Sequence, residues 1–296
     1  PPAAAIAAAR HPLRLLMVIR RQLDAPVPRL DAEVTIGGRL GPGEAVVMRM
    51  YGRLALHSES VVLPLLAPDA PVVTWWHGPP PDALAYDPLG VIADRRVTDC
   101  LLAADPVAAL FQRAEDYAPG DTDLTWTRVT PWRMHLAAAF DTVRSGISSA
   151  NVQGHPNDPS ALLLAGWLRA RLGLSVPFED STVPTIRGVS VRFDDDSDLR
   201  AHRSDRRGMV IERSGAPAST VPMAERDLGD LLAEELRRLD VDQPYAEALS
   251  AATGRSGLLE RSAHRDYIWR DPAVTGTQAS AESPARMADG PTEPAG

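Results

Sequence analysis

Three short segments concentrate the side chains best able to do chemistry or bind a partner. Residues 74–81 (TWWHGPPP) bring Trp75, Trp76 and His77 together. Residues 94–99 (DRRVTD) set Arg95 and Arg96 between Asp94 and Asp99. Residues 121–133 (DTDLTWTRVTPWR) carry Trp126, Arg128, Trp132 and Arg133. Trp and Arg are enriched where proteins dock, and a guanidinium fork pairs with carboxylates in bidentate fashion. The candidate partner interface is therefore Trp75, Trp76, His77, Arg95, Arg96, Asp99, Trp126, Arg128, Trp132 and Arg133. Each segment also has a packing alternative. Adjacent strand residues face opposite sides, so both Trp75 and Trp76 can be buried under helices. The Arg pair can form an internal lock with its flanking acids. Residues 121–133 can be a kinked helix that packs one domain on another.

The search for a catalytic set ends without one. All 31 basic side chains are Arg; the chain contains no Lys. That absence excludes a P-loop, a protein kinase and Schiff-base chemistry, each of which needs an amine. No G-x-G-x-x-G follows the first apolar run, and residues 146–150 (GISSA) fail as a nucleophile elbow at the last glycine. The histidines at 11, 57, 77, 135, 155, 202 and 264 show no i,i+4 pair. Cys100 stands alone among apolar neighbours and reads as an inert core thiol. The acids at 194–196 (DDD) read as a solvated turn. The expectation is a non-enzyme with no catalytic residue, no cofactor and no metal.

The net charge of −8 argues against nucleic acid, and the longest apolar runs are too short to span a bilayer. The alanine-rich start lacks a basic n-region, which points to a cytoplasmic protein. It also lacks Met, so the natural start is expected upstream.

The elements that must position these residues alternate between strand and helix. Residues 13–20, 31–36, 44–51, 71–76 and 96–101 read as strands, with an antiparallel pair across the Gly-rich loop 37–43, and residues 54–66 read as a helix. Beyond residue 120, helices are expected at 130–143, 158–172, 225–239 and 245–252, and strands at 185–193 and 208–213. In the helix 225–239 a leucine stripe lies opposite the acids. The fold class is α/β: an N-terminal mixed Rossmann-like sheet flanked by helices over residues 1–120, then a smaller α+β C-terminal domain over 121–255. Residues 256–296 are expected to be a disordered tail.

The order His11-Pro12-Leu13-Arg14, residues 71–76 (PVVTWW), 87–90 (DPLG), 94–99 (DRRVTD), 121–133 and 162–173 (LLLAGWLRARLG) resembles the OpcA family. These are the glucose-6-phosphate dehydrogenase assembly proteins of cyanobacteria and actinobacteria, and the likeness runs from about residue 3 to 254. The resemblance implies a non-catalytic, allosteric partner that binds glucose-6-phosphate dehydrogenase and promotes its active oligomeric state in the oxidative pentose phosphate pathway. It supplies no catalytic residues. An intramolecular dithiol switch is excluded by the single cysteine. The alternative is a phosphosugar or NADP sensor, or an enzyme, at the mouth of the sheet, with Arg95 and Arg96 meeting a phosphate.

Overall fold

Local sequence signals build three separate sheets, seen in a computed structural model that describes residues 2–11, 13–37, 43–141, 143–204 and 208–263. Helix α1 (Pro2–Arg10) leads into β1 (Arg14–Arg21), β2 (Arg29–Ile36) and β3 (Glu44–Tyr51). β3 lies in the centre, parallel to β1 and antiparallel to β2. Short helices α2 (Arg53–Leu56) and α3 (Ser58–Val62) then cover Met48 and Met50. The single helix expected over 54–66 is thus broken. His57 leaves helical angles (φ −115°, ψ 44°), and Pro64 forces a tight 3-10 turn.

The second sheet is fully parallel: β4 (Val73–Trp75), β5 (Arg95–Thr98) and β6 (Asp121–Asp123), in that order. Helix α4 (Pro88–Val91) lies between β4 and β5, and α5 (Pro106–Asp116) between β5 and β6. The mixed N-terminal sheet expected from the sequence is therefore two three-stranded sheets, and β6 joins β4 and β5 from just beyond residue 120. Helices α6 (Leu124–Arg128) and α7 (Thr130–Phe140) follow, with Val129 rather than Thr130 as the N-cap of α7.

The third and largest sheet lies in the second half. It contains β7 (Ile147–Gly154), β8 (Phe178–Asp180), β9 (Gly188–Phe193), β10 (Asp198–Arg203), β11 (Gly208–Arg213) and β12 (Ala216–Pro222) in the order β12-β11-β10-β9-β7-β8. Between β7 and β8 runs α8 (Pro159–Leu172), capped by Asp158 and stopped by Gly173 in the left-handed region (φ 65°), as its sequence signals require. Helices α9 (Leu228–Glu235) and α10 (Gln243–Thr253) are the last among the described residues. Ala150, Val152, Val189, Val191, Phe193, Leu199, Ala201 and Met209 point inward to a core shared with α8 and α10. The acids at 194–196 do form the β9–β10 turn, with Asp196 at φ 62°.

Leu258 is buried in this core, and Arg261 donates to the carbonyls of Glu115 and Tyr117 at 2.9 and 3.0 Å. The expectation of a disordered tail is corrected for residues 256–263. The remainder, 264–296, lies outside the described residues.

Two small residues set how closely helices approach. A Cβ at Gly229 would meet Ile6 at 2.6 Å, which lets the alanine face of α1 sit on α9. A Cβ at Gly166 would lie 2.2 Å from the carbonyl oxygen of Ala248 on α10. In an open helix Gly→Ala gains roughly 1 kcal/mol. Here overpacking reverses the sign, and Gly166→Ala is expected to lose about 1–3 kcal/mol in urea unfolding.

Candidate functional site

The three segments meet around the parallel sheet, held by buried ion pairs. β5 is buried along its whole length, although it reads Arg-Arg-Val-Thr. The two Args alternate, as strand geometry requires, and leave on opposite faces. Arg95 donates to Glu235 Oε2 at 2.6 Å and to the carbonyl of Asp240 at 2.8 Å. Thr127 Oγ1 donates to the other oxygen of Glu235 at 2.6 Å. Arg96 pairs with Asp121 on the neighbouring β6 and donates to the carbonyls of Ala93 (3.0 Å) and Pro119 (2.6 Å). Each guanidinium is thus matched by a carboxylate and backbone oxygens.

The carboxyl end of this sheet carries Trp75 from β4, Asp99 just after β5 and Asp123 from β6. Arg128 grips Asp99 through two bonds of 2.6 and 2.7 Å. Asp123 accepts from Thr98 Oγ1 (2.5 Å), from the backbone of Cys100 and Thr125, and from the Cys100 thiol (3.1 Å). Burial and the Asp123 carboxylate push the Cys100 thiol up, so it is an unreactive donor here. Burial also raises the Asp99 and Asp121 carboxyls despite their guanidinium partners. Desolvation therefore outweighs pairing at both sites, and the pairs mostly offset the cost of a charged interior.

These positions correct half of the expected interface. Trp126 and Trp132 are each 1% exposed, Arg95 is 1%, Arg96 4% and Asp99 7%. Such side chains have no surface to offer a partner. Trp126 donates its indole N–H to Asp242 at 2.9 Å and lies 3.5 Å beneath the Arg133 guanidinium, while Trp132 fills the main core. Arg95 and Arg96 are already neutralised internally, which removes the phosphate-binding role considered for them. The surviving surface is His77, exposed, with Trp75, Trp76, Arg128 and Arg133 half-buried. Trp75 and His77 pack in a tilted arrangement with ring centres 5.0 Å apart, and the Trp76 N–H extends the β4–β5 pairing to Val97 O at 3.1 Å.

Residues outside the three segments complete the lock, and residue type alone does not single them out. Reading the acids of residues 225–239 as all opposite the leucine stripe puts Glu235 in solvent, yet it is 7% exposed. A signal was present. Glu235 falls three residues after Leu232 and four after Leu231, inside the leucine stripe itself.

Two family models match the chain in sequence. One, described as the N-terminal domain of the glucose-6-phosphate dehydrogenase subunit, covers residues 4–115. The other, described as the C-terminal domain of the same protein, covers residues 119–249. The chain belongs to the OpcA family. Its association with glucose-6-phosphate dehydrogenase follows at that level. No curated protein matches the chain. Among solved structures it is similar to KijD10, a 3-ketoreductase from Actinomadura kijaniata. A complex with NADP has 14% identity and a TM-score of 0.41, covering 84% of this chain and 90% of that one. A complex with NADP and TDP-benzene has 13% identity and a TM-score of 0.44, covering 90% and 95%. Likeness at that level transfers no chemistry to this OpcA-family chain.

Among the described residues of this family member, no group of three or more His, Cys, Asp or Glu is placed to hold a metal ion. No described helix is long and apolar enough to cross a membrane.

Removing one partner of the Arg95–Glu235 pair strands the other charge in the interior. Arg95→Met is expected to cost about 3–5 kcal/mol, and Arg95→Met with Glu235→Leu to recover most of it. A double-mutant cycle in urea reads the coupling, and additive losses would refute the lock. A second test concerns Asp116, which accepts from the Leu84 N–H at 2.8 Å and sits 3.8 Å from Arg113. Burial pushes its carboxyl up to about 6 from 3.8. A raised carboxyl favours the fold while protonated, so its contribution is full below about 4 and lost as pH rises through about 6. Asp116→Asn should flatten that part of the melting-temperature profile, measured from pH 3.5 to 7.

Proposed function

We propose that this chain is a non-catalytic cytoplasmic protein that binds glucose-6-phosphate dehydrogenase and shifts it toward its active oligomeric state. The observation that carries this reading is the pair of family matches, which together span residues 4–115 and 119–249. They also support two sequence units, 1–120 and 121–255, that share the β4-β5-β6 sheet. Promotion of an oligomer requires only that the chain bind that state more tightly than others. A coupling of ~1–3 kcal/mol changes the population about 5- to 150-fold.

The docking surface in this reading is the carboxyl end of the parallel sheet, where Trp76, His77 and the exposed part of Arg128 lie on a rigid base. Open α/β sheets bind their ligands at that end. The Asp99–Arg128 fork fixes the base, and Arg133 on Trp126 extends it toward α7. Side chains held in this way lose little freedom on docking.

The test is dehydrogenase activity and oligomer mass, measured with and without this chain. Formation of a mixed complex with a shift in oligomer mass and higher activity is expected. Absence of any complex at roughly micromolar concentrations would sink the reading. Trp76→Ala with His77→Ala should weaken the complex about tenfold or more while leaving the melting temperature nearly unchanged. Trp132→Ala should do the reverse, lowering stability by about 3–5 kcal/mol through an internal cavity.

A further inference from the structure

β2 is an edge strand whose surroundings do not cover it. Its residues Arg29–Ile36 alternate apolar and polar, with Leu30, Ala32, Val34 and Ile36 on one face. That face continues the layer of Val46, Met48 and Met50 on β3, directly opposite in register. On β3 the layer is roofed by α2 and α3, and Met48 and Met50 are buried. On β2 the roof has ended: Leu30 is 41% exposed, Val34 61% and Ile36 77%. Among the described residues no strand pairs with its outer edge. An inward charge, a proline within the strand and a bulge are all absent from it, and its charges, Arg29, Asp31 and Glu33, lie on the other face.

We propose that this edge is a self-association surface, on which β2 of a second copy of this chain pairs antiparallel about a two-fold axis. The two three-stranded sheets would then form one continuous six-stranded sheet. The sequence is self-complementary in a way that selects the register. In a two-fold antiparallel pair, opposite residues share a face, so the apolar stripe must meet itself. Centring the axis on Ala32 sets Asp31 against Glu33. Centring it on Glu33 sets that acid against itself. Like charges directly opposite are destabilising. Centring on Thr35 pairs only residues 34–36, whereas centring on Val34 pairs 32–36 and avoids both clashes: Val34 meets Val34, Ile36 meets Ala32, and Glu33 meets the hydroxyl-bearing Thr35. The opposite face is already balanced within each copy, since Arg29 pairs with Asp31 and Arg49 lies 3.9 Å from Glu33. These four side chains therefore add no net charge at the edge itself. A single strand pair buries less than a standard interface, so a reversible dimer is expected rather than an obligate one.

Sedimentation of the full chain across roughly 1–100 µM should show the mass rising toward twice the monomer. Val34→Arg places two guanidinium groups at the axis and should weaken dimerisation about tenfold or more, with an unchanged far-UV spectrum. Val34→Cys should give a covalent dimer under mild oxidation, and Thr35→Cys should not. The native Cys100 is buried and adds no background. Three results would overturn the proposal. One is a wild-type chain monomeric throughout that range. Another is dimerisation indifferent to Val34→Arg. The third is a monomer whose Val34→Arg variant loses the dehydrogenase, which would give the edge to that partner while leaving the functional reading intact.

Discussion

An arginine carried into a protein interior cannot shed its proton, so it must bring an acid with it. β5 carries two such residues in succession, and because strand neighbours diverge, one partner cannot serve both. Arg96 takes Asp121 from the adjacent strand, which supports the β5–β6 register of Arg96 opposite Asp121. Arg95 takes Glu235 from α9, more than a hundred residues away in the chain. That second pair ties the first half of the molecule to the second, and much else follows from it. Thr127 completes the Glu235 carboxylate, which anchors α6. The end of α9 turns so that the Asp240 carbonyl faces Arg95. The following segment then offers Asp242 to the Trp126 indole, and Tyr245 packs near that ring at 5.9 Å. α1 packs on α9 as well, with Ala7 in the same cluster as Val97, Leu231 and Leu232.

Pairs of this kind contribute little net stability against a well-packed apolar alternative, because desolvation consumes most of the attraction. What they supply is geometry. An apolar contact between β5 and α9 would tolerate a slip of one turn, whereas a guanidinium held by a carboxylate oxygen and a carbonyl would not. The same logic holds at Asp123, which accepts from Thr98, Cys100 and Thr125 and thereby fixes the turn after β5 to the start of α6. The carboxyl end of the sheet is thereby pinned by side-chain hydrogen bonds on both Asp99 and Asp123.

Elements with a strong local signal were legible in the sequence. α8 had an Asp-Pro start and a Gly stop, and β11 had a run of β-branched and long apolar residues between turns. β7, β10 and β12 passed unread for a common reason. Each gives one face to solvent and builds the other from small or sparse apolar residues, such as Ala150, Val152 and Ala201. β10 and β12 become strands through hairpin pairing with β9 and β11, and β7 through pairing with β8 and β9 beyond α8, and periodicity over six residues reports neither. The splitting of the N-terminal strands into two sheets was equally hidden, since pairing order is a non-local property.

The candidate site shows where residue type misleads. Trp and Arg mark interfaces, but they also mark any dense interior that contains a charge, and composition cannot separate the two. The distinction depends on whether the acids that answer each Arg lie in the same chain. For Arg95 and Arg96 they do, at Glu235 and Asp121, and both guanidinium groups are closed to an external anion. For Arg128 the answer is mixed: Asp99 occupies its fork, yet the side chain keeps 26% of its surface. With no lysine in the chain, every basic contact to a partner has to come from such partly occupied arginines or from unpaired ones elsewhere. A partner that meets Arg128 would therefore face a guanidinium already oriented by Asp99. That favours recognition through the outer edge and flat face of the group, a geometry suited to carbonyls and aromatic rings more than to a second carboxylate.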